Sequence, residues 1–404
     1  MLISAEYWKN LPEKVDKALQ LLYNVCNIGI SPTKISKKEV RNMERVIKVG
    51  IIGCGGIANG KHMPSLAKVK NCEMVAFCDI LPERAEKAAA EYGAEGAKVF
   101  TDYKDLLAME EIEVVHVCTP NRSHSFITVD ALEAGKHVMC EKPMAINSEE
   151  AKKMLDAAKR TGKKLTVGYQ SRFRPDALYL KKEAEDGTFG DIYYAKATAL
   201  RRRAVPTWGV FLNEYEQGGG PLIDIGTHAL DLTLFTVDNY KPKYCVGTVF
   251  HKLNNDTQTA NAWGDWDPEK FSVEDSAFGF IVMENGATIV LESAWALNTL
   301  DVREAVTSIC GTKAGADMND GLRINGVRNG RQYVLTPNFK AGGVAFNDGA
   351  KGESAADLEE RLWIEAVRND TDPLTLPEQA YCVTRILEGI YESAKTGKPY
   401  YFDN

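Results

Sequence analysis

The stretch VIKVGIIGCGGIA, residues 46–58, decides the fold of this chain. Its first half is an apolar, β-branched run that favours a buried strand, and a glycine-rich turn follows directly. A strand that enters a GxGxxA turn and then a helix is the pattern of a dinucleotide-binding βαβ unit. Gly53 permits the tight turn, Gly55 lets the backbone approach a pyrophosphate, and Ala58 keeps the helix close to the strand. The predicted cofactor loop also includes Gly56 and Ile57.

Strands and helices alternate after this turn, which is the pattern of a parallel sheet. Helix formers fill PERAEKAAAEYG, which ends at Gly93, and Asn147 with Glu150 makes a capping-box-like start for the helix EEAKKMLDAAKR. We therefore predict an N-terminal Rossmann domain, a doubly wound parallel sheet, over residues 43–168. The further predicted strands are residues 73–79, 112–119, 137–143 and 164–169.

The pattern changes after residue 168 to longer strands with polar alternation, which is typical of an antiparallel sheet. The segment SAFGFIVMENGATIVLESAW, residues 276–295, folds back at Asn285-Gly286, a strong hairpin signal. Residues 169–404 are therefore predicted to form a second α/β domain. Two closing helices are expected around residues 355–369 and 377–396.

Length and composition bound the class of protein. A chain of 404 residues exceeds the size at which one core usually keeps growing, so two domains are expected. The net charge is −7 with both signs interspersed, so neither nucleic acid nor an anionic membrane is an expected partner. The nine cysteines are scattered without a CxxC pair, which favours thiols in a reducing cytosol over disulfides or a metal site. With no long apolar run and no signal-peptide pattern, we expect a cytoplasmic protein without a metal.

Residues 1–42 differ from the rest of the chain. A short helical pattern is followed by the polar linker SPTKISKKEVRN, and the core pattern begins only at Val46. We interpret this segment as an N-terminal extension of unknown role. Two readings are open, a dispensable extension and a segment that packs on a partner subunit.

Asp79 ends the second predicted strand, 21 positions after Ala58. A carboxylate at this distance from the glycine turn accepts hydrogen bonds from adenosine ribose hydroxyls and repels a 2′-phosphate. NAD is therefore the predicted cofactor, and NADP is less favoured. The alternative is that Asp79 only caps the strand end.

Two further segments carry side chains of a catalytic type. Lys142 follows the nearly all-apolar strand in HVMCEKP, at the strand end where open α/β sheets bind ligands. In GGGPLIDIGTHALD, residues 218–231, Asp224, His228 and Asp231 follow at spacings of four and three and share one helix face. The surrounding helix is apolar, so this triplet is costly unless it faces a cleft, and flanking carboxylates would orient His228 and hold its pKa near neutrality. The alternatives are a solvated lysine and a satisfied core histidine.

Together these motifs resemble the glucose-fructose oxidoreductase and inositol dehydrogenase family, Gfo/Idh/MocA. The resemblance runs from about Val46 to Phe402 and is carried by GCGGIA, TPNRSH, AGKHVMCEKP and GGGPLIDIGTHALDL. It implies an NAD-dependent oxidoreductase with a Rossmann domain followed by an α/β domain. The large, mainly antiparallel sheet of that second domain would join subunits in a homodimer or homotetramer.

The resemblance also assigns residues. Lys142, Asp224 and His228 match the catalytic EKP lysine and DxGxH pair of the family. It implies that the histidine takes the hydroxyl proton while the lysine and aspartate position and polarise the hydroxyl group. Pro143 would follow a cis peptide bond. The residues expected beside the cofactor are Thr119, Pro120, Asn121, His124, Glu141 and Lys142.

The substrate side is expected in GYQSRF, residues 168–173, and RRRAVPTWGVF, residues 201–211, which resemble elements of the sugar dehydrogenase branch. Strand alternation would place Arg201 and Arg203 on one face and Arg202 on the other, so substrate contact and a solvated strand edge are both open. The Asn/Asp/Trp-rich segment 253–268 is expected to be a surface loop. Candidate substrate-binding residues are Tyr169, Arg172 and Trp208, with Lys142, Asp224 and His228.

We therefore expect an NAD-dependent dehydrogenase that oxidises a secondary hydroxyl of a sugar or cyclic polyol, with His228 as base and hydride passing to nicotinamide C4. An inositol, an aldose, an anhydrosugar and a sugar glycoside would all suit such a site, and the fold does not choose among them. One alternative is a glycosidase that retains NAD and cleaves a glycosidic bond by transient oxidation and elimination. A second is a non-catalytic NAD-binding regulator, against which the catalytic trio argues because a sensor needs no proton acceptor.

Deletion of residues 1–42 is expected to leave a folded, active enzyme, because the βαβ pattern and every predicted site residue lie after this segment. The truncated and full chains would be compared by thermal melting and by dehydrogenase turnover. Insoluble or inactive truncated protein would show instead that the extension packs on the core or on a partner subunit.

Overall fold

The computed structural model describes residues 45–339 and 353–403. The predicted extension, residues 1–42, lies outside the described residues, so both readings of it stay open. Within the described ranges, no helix is long and apolar enough to cross a membrane.

The N-terminal half is built on six parallel strands in the order β3-β2-β1-β4-β5-β6. This order confirms the predicted doubly wound Rossmann sheet, in which the chain starts in the middle and winds outward twice. The sequence predicted five of the strands and missed β3, which is three residues long and largely exposed. The strands are β1 (Ile47–Ile52), β2 (Cys72–Cys78), β3 (Lys98–Phe100), β4 (Val114–Val117), β5 (His137–Cys140) and β6 (Leu165–Val167).

Helices connect these strands. Asn147 caps one of them as predicted, since its side-chain oxygen accepts a hydrogen bond from the Glu150 N–H at 2.9 Å. A π-helical turn, Ala58–His62, leads from the glycine loop into the first helix. The helices are α1 (Met63–Leu66), α2 (Pro82–Tyr92), α3 (Tyr103–Leu107), α4 (Asn121–Glu133) and α5 (Ser148–Thr161).

The second half forms a nine-stranded sheet in the order β14-β13-β12-β11-β7-β10-β9-β8-β15. Its neighbouring strands are antiparallel except β7 and β10, which confirms the mainly antiparallel sheet. The predicted hairpin at Asn285-Gly286 joins β9 to β10, and Gly286 has a φ of 85°. The strands are β7 (Ile192–Leu200), β8 (Pro242–Phe250), β9 (Ser276–Met283), β10 (Thr288–Ala294), β11 (Arg303–Gly311), β12 (Ala314–Asp317), β13 (Arg323–Arg328), β14 (Arg331–Leu335) and β15 (Tyr400–Tyr401).

The helices of the second half include the two predicted near the end of the chain. The last of them lies on β8 and β9, where a Cβ on Gly247 would come within 2.6 Å of Ile390 and one on Gly279 within 2.5 Å. The two glycines face each other across the strands, so they let the helix approach the sheet. The helices are α6 (Pro175–Glu185), α7 (Glu214–Gln217), α8 (Thr227–Val237), α9 (Ala355–Asn369) and α10 (Pro377–Thr396).

Helix α9 packs with the Rossmann half, although it follows eight strands of the nine-stranded sheet in the chain. Trp363, Ile364 and Val367 are buried in one apolar cluster with Ile47 and Val49 of β1. The structure thus differs from the predicted division, which placed this helix in a second domain of residues 169–404. Its amphipathic pattern predicts a helix but does not say which sheet its apolar stripe covers.

A buried ion pair joins the segment after β6 to helix α8. Arg172 is 0% exposed, and its Nε and Nη2 donate to the two carboxylate oxygens of Asp231 at 2.9 and 2.6 Å. Its Nη1 donates to Gln379 Oε1 of α10 at 2.6 Å, and its guanidinium lies 4.9 Å from the ring centre of Phe235. This arrangement does not support the prediction that Arg172 contacts substrate. Its donors are occupied by the protein, so the residue holds three segments together.

Replacing Arg172 with Met is expected to lower the free energy of unfolding by about 3–5 kcal/mol, because the Asp231 carboxylate would remain buried without its partner. Urea unfolding would measure the change. The double variant Arg172→Met with Asp231→Leu should recover much of the loss, since no charge is then stranded.

A matched control is Lys152→Met, which breaks an exposed ion pair to Asp156 on α5 and should cost about 0–1 kcal/mol. An Arg172→Met variant no less stable than this control would show that the buried pair does not hold the fold.

Candidate active site

The glycine loop after β1 is open on the side where a cofactor phosphate would lie. A Cβ on Gly55 or Gly56 would meet nothing within 4 Å, and Ile57 beside them is 41% exposed. Gly53 has a φ of 90°, and a Cβ there would lie 2.7 Å from the backbone of Cys118 after β4. The loop thus needs glycine at Gly53 for conformation and close packing, and it leaves room at Gly55 for a pyrophosphate.

Asp79 lies directly after β2 and is 8% exposed. One carboxylate oxygen accepts a hydrogen bond from the Cys54 N–H at 2.9 Å, and the other accepts one from the Leu81 N–H at 3.0 Å. The side chain therefore shapes the glycine loop, as the strand-cap alternative proposed. Each carboxylate oxygen has a second acceptor site, so this structural role is compatible with binding ribose hydroxyls.

The segment after β4 supplies the next predicted cofactor residues. Asn121 begins α4, and its amide donates to the Gln217 carbonyl at 3.0 Å, so this side chain is engaged by the protein. His124 is buried with its ring nitrogens 2.8 Å from the Pro143 carbonyl and 2.9 Å from the Thr119 carbonyl, and it joins two loops rather than facing open space. The Thr119 hydroxyl has no partner among the described residues, which suits a ligand contact. Pro120 occupies the N-cap position of α4.

Lys142 and Asp224 meet where the two halves of the molecule face each other. The lysine Nζ lies 2.9 Å from Asp224 Oδ1 and 3.0 Å from its backbone carbonyl. The Trp295 indole N–H donates to Asp224 Oδ2 at 3.0 Å. The Lys142 and Asp224 side chains keep 18% and 13% exposure, so a small molecule can reach them. The predicted cis peptide bond between Lys142 and Pro143 is present.

Local hydrogen bonds hold the turn that carries Asp224. This turn, Leu222–Gly226, is π-helical and leads into α8. Buried Glu274 accepts hydrogen bonds from the Gly220 N–H at 2.8 Å and the Leu222 N–H at 3.1 Å, and the Tyr391 hydroxyl donates to the same carboxylate at 2.8 Å. The carboxylate therefore satisfies amide groups that the helix start would otherwise leave unpaired.

The electrostatics of this pair favour a charged aspartate. Burial alone would raise the pKa of Asp224, but Lys142 and Arg201 offset that effect and hold the pKa below its usual value. Asp224 is thus ionised at neutral pH, with one oxygen toward the lysine and the other toward the Trp295 indole. Such a carboxylate fixes the position of the lysine ammonium.

His228 lies in the first turn of α8, two residues beyond the end of the π-helical turn. Burial lowers its pKa to about 3, and the Lys142 charge contributes in the same direction. The expectation of a pKa near neutrality is therefore wrong. One of the two carboxylates invoked for it, Asp231, is occupied by Arg172, and desolvation outweighs the attraction of Asp224. The Nδ1 of His228 has no hydrogen-bond partner among the described residues.

Glu141 is hydrogen-bonded to the backbone of Lys142. Its Oε2 accepts a hydrogen bond from the Lys142 N–H at 3.0 Å, and its Oε1 lies 2.8 Å from both Lys61 Nζ and His62 Nε2. Burial alone would raise the pKa of Glu141, but Lys61 and His62 hold it well below its usual range. Glu141 is therefore an ionised, buried anchor, and its place beside the cofactor stays a prediction.

Helix α9 completes this buried network. Glu359 pairs with Lys61 at 2.9 Å, and Glu360 pairs with His62 at 2.7 Å. The His62 and His116 rings also approach to 3.1 Å between their Nδ1 atoms. Two imidazoles and a carboxylate are donors of the type that zinc accepts, so the prediction of no metal stays a prediction. No local pattern in the sequence indicates this network, because its members lie up to about 300 positions apart.

The predicted substrate residues Tyr169 and Trp208 differ in exposure. Tyr169 is fully buried with its hydroxyl 3.0 Å from Thr227 Oγ1, so the structure does not support a wall of the substrate site there. Trp208 is 51% exposed and packs on Phe211, which in turn packs on Trp295. Trp208 is therefore in reach of a ligand. Trp295 contacts Asp224, and no periodic pattern in the sequence indicates that contact.

The arginine cluster does not continue the strand as predicted. Strand β7 ends at Leu200, so period-two alternation stops before Arg201. The Arg201 guanidinium makes a bidentate pair with Glu304 and adds positive potential at Asp224. Arg203 donates to Asn298 Oδ1 at 3.1 Å. Arg201 therefore belongs to the surroundings of the site.

Comparison with known proteins bears on this geometry. The sequence profile of the GFO/IDH/MocA oxidoreductase family with an NAD-binding Rossmann fold matches residues 47–169, and the C-terminal domain profile of the same family matches residues 177–317. D-glucoside 3-dehydrogenase of Escherichia coli K12 is 37% identical over 355 residues, which cover 87% of this chain and 96% of that protein. An inositol 2-dehydrogenase/D-chiro-inositol 3-dehydrogenase of Lactiplantibacillus plantarum is 39% identical over 148 residues, 36% of this chain and 41% of that protein.

Solved structures share the fold. Levoglucosan dehydrogenase in complex with NADH and L-sorbose superposes with a TM-score of 0.75 at 23% identity, over 89% of this chain and all of that chain. Aldose-aldose oxidoreductase from Caulobacter crescentus gives a TM-score of 0.72 at 23% identity with the same coverage. On the sequence profiles and the long match to the Escherichia coli enzyme, with this fold, the chain belongs to the Gfo/Idh/MocA family of NAD-binding oxidoreductases.

Proposed function

We propose that the protein is an NAD-dependent dehydrogenase that oxidises a secondary hydroxyl of a sugar or cyclic polyol. The observation that carries the proposal is the Lys142–Asp224 contact at 2.9 Å with His228 one helical turn further on. This group lies at the carboxyl end of β5, where open α/β sheets bind their ligands.

Each member of the trio has a chemical task. The Lys142 ammonium, held by Asp224, is a donor to the substrate oxygen and lowers the cost of removing its proton. His228 is neutral because its pKa is far below physiological pH, so its ring has a free lone pair for that proton, and the same low pKa makes it a weak base that depends on Lys142 to stabilise the substrate oxygen. Asp224 keeps the lysine in place through one oxygen while Trp295 fixes the other.

The loop after β1 fits the cofactor for two reasons. It leaves space at Gly55 and Gly56 for a pyrophosphate, and it holds the Asp79 carboxylate beside that space, where a ribose would lie. Bound NAD supplies a hydride acceptor at nicotinamide C4. Glu141 orients the backbone of the adjacent lysine, and the unpaired Thr119 hydroxyl is available to a ligand at the same sheet edge.

The relatives support a hydroxyl on a ring as the group oxidised. Their names specify a D-glucoside oxidised at position 3 and an inositol oxidised at position 2 or 3. We propose the same kind of secondary carbinol for this protein. Its cysteines within the described ranges are free, which supports the proposed cytoplasmic location.

The outer face of the nine-stranded sheet supports a homo-oligomer. Val246 of β8 and Phe280 of β9 are paired across the strands and are 41% and 46% exposed, and Tyr401 of β15 is 65% exposed. An apolar sheet face of this kind is typical of a subunit interface. Size-exclusion chromatography with light scattering would determine whether the protein is a dimer or a tetramer.

The central test is a screen of inositols, aldoses, anhydrosugars and glycosides for NADH absorbance. A dehydrogenase releases NADH in proportion to substrate consumed. Release of an aglycone without net NADH would indicate the NAD-retaining glycosidase instead, and NAD binding without either product would indicate a regulator.

His228→Ala is expected to reduce turnover roughly 10²–10⁴-fold, the usual worth of a positioned base, with little change in NAD affinity. Steady-state NADH formation and NAD binding by calorimetry would measure the two quantities. His251→Ala is the matched control, because that histidine lies in the same half and bonds only to the Val273 carbonyl among the described contacts. Near-normal turnover in His228→Ala would mean that another group takes the proton.

The pH dependence follows from the depressed pKa of His228. A group whose pKa is about 3 is in its neutral, proton-accepting form at every pH well above that value. Protonation of His228 should therefore cause no loss of kcat/KM between about pH 5 and 8. A rising limb centred near pH 6.5 that disappears in His228→Ala would contradict the low pKa.

The wild-type protein should prefer NAD over NADP by roughly tenfold or more in kcat/KM, which corresponds to about 1.4 kcal/mol. The reason is repulsion between the Asp79 carboxylate and a 2′-phosphate. Asp79→Asn keeps one acceptor oxygen and removes the charge, so it should narrow this preference. Glu73→Gln, at the other end of β2, is the control. Equal use of both cofactors by the wild type would contradict the assignment.

A further inference from the structure

Four aromatic rings lead outward from Asp224. Buried Trp295 donates to Asp224 Oδ2 and packs on Phe211 at 6.4 Å between ring centres. Phe211 packs on Trp208 at 5.9 Å, and Trp208 packs on Trp263 at 5.0 Å. The rings therefore form a continuous path from the catalytic carboxylate to the surface.

Exposure increases along this path. Trp295 is fully buried, Phe211 is half-buried, and Trp208 and Trp263 are 51% and 44% exposed. Two exposed indoles in contact are unusual on a soluble surface, because burying them elsewhere would be favourable. We call Trp208 and Trp263 together the tryptophan platform.

The platform is held by hydrogen bonds between its two segments. Asn261 accepts from the Val205 N–H at 2.8 Å and donates to the Val205 carbonyl at 2.9 Å. The Thr207 hydroxyl donates to the Trp263 carbonyl at 2.7 Å, and the Ala262 N–H donates to the Arg203 carbonyl at 2.9 Å. The backbone segments that carry the two indoles are therefore held together before any ligand arrives, which lowers the entropic cost of binding one.

The segment that carries Trp263 also has a small core of its own. Trp266 is 4% exposed, donates its indole N–H to the Asn254 carbonyl at 3.0 Å and packs on Phe271. The Asn/Asp/Trp-rich segment 253–268 has neither helix nor strand and is mostly exposed, as expected of a surface loop, and buried Trp266 anchors it where Trp263 lies beside Trp208.

A charged pair accompanies the indoles. The Arg201 guanidinium lies over the Trp263 ring, 5.2 Å from the ring centre, and pairs with Glu304. Aromatic rings with charged hydrogen-bonding groups beside them match a pyranose ring, which has a face of C–H groups and an edge of hydroxyls. Two indoles are far fewer than the roughly 20–30 residues a side of a stable protein interface, so the platform alone is too small to define one.

We propose that the tryptophan platform is a binding subsite for the second ring of a glycoside whose first ring is oxidised at Asp224. This inference rests on the proposed function, because it assumes that a sugar ring occupies the catalytic end of the path. It narrows the substrate class to glycosides with two rings, since a monosaccharide or an inositol at Asp224 would leave the platform uncovered.

The test compares D-glucose with cellobiose, maltose and trehalose by NADH formation. The wild type should use at least one disaccharide with a kcat/KM roughly tenfold above that for glucose. Trp263→Ala and Trp208→Ala should each reduce the ratio of disaccharide to glucose kcat/KM roughly five- to tenfold, about the worth of one lost aromatic contact. Phe126→Ala removes an exposed aromatic ring from α4 and should leave the ratio unchanged.

Calorimetry on the NADH-loaded protein separates this inference from the proposed function. Two results would overturn the subsite and leave the dehydrogenase proposal intact. One is oxidation of glucose or inositol with no higher kcat/KM for any disaccharide. The other is an unchanged ratio of disaccharide to glucose kcat/KM in both tryptophan variants, each shown to be folded. If no sugar is oxidised but a disaccharide binds and loses affinity in Trp263→Ala, the dehydrogenase proposal fails, and of this inference only the binding of a two-ring glycoside at the platform stands.

Discussion

The buried carboxylate of Glu141 is the constraint on which the site depends. It receives the Lys61 ammonium, the His62 ring and the Lys142 N–H, so it joins the glycine-loop helix to the end of β5. A carboxylate in such surroundings is stable only while its partners are in place, because an unpaired buried charge is costly. The position of the Lys142 backbone, and through it the contact with Asp224, therefore depends on a network that lies beneath the cleft.

Much of the fold could be predicted from the sequence because its signals are local. The apolar run into Gly53, the cap at Asn147 and the Asn285-Gly286 turn each specify a structure within a few residues, and each was confirmed. Lys142 and Asp224 could be predicted as site residues for the same reason. Lys142 lies just after a strand, and Asp224 lies in the turn that leads into a helix. The two residues are far apart in the chain, but the rule that ligands bind at strand ends predicts that both lie at one ligand site.

The rest could not be predicted because it depends on which distant groups meet. The spacing of Asp231 from His228 does not show that Arg172 forms an ion pair with this carboxylate. Without that ion pair, the Asp231 carboxylate could equally face His228. The low pKa of His228 is a property of its burial, which a single sequence does not display. Strand β3 and the packing of α9 on the Rossmann half could not be predicted for a related reason. The short length of β3 and the apolar stripe of α9 do not identify the elements that each of them contacts.

The packing of α9 against β1 has a consequence for the order in which the protein is made. The ribosome completes all six strands of the Rossmann sheet by Val167, yet Trp363, Ile364 and Val367, which cover part of that sheet's core, are synthesised almost 200 residues later. Glu359 and Glu360, the partners of Lys61 and His62, arrive in the same helix. The nucleotide-binding half therefore cannot reach its final packing as an independent N-terminal unit during translation, and its last apolar surface stays uncovered until every strand of the nine-stranded sheet except β15 has been synthesised.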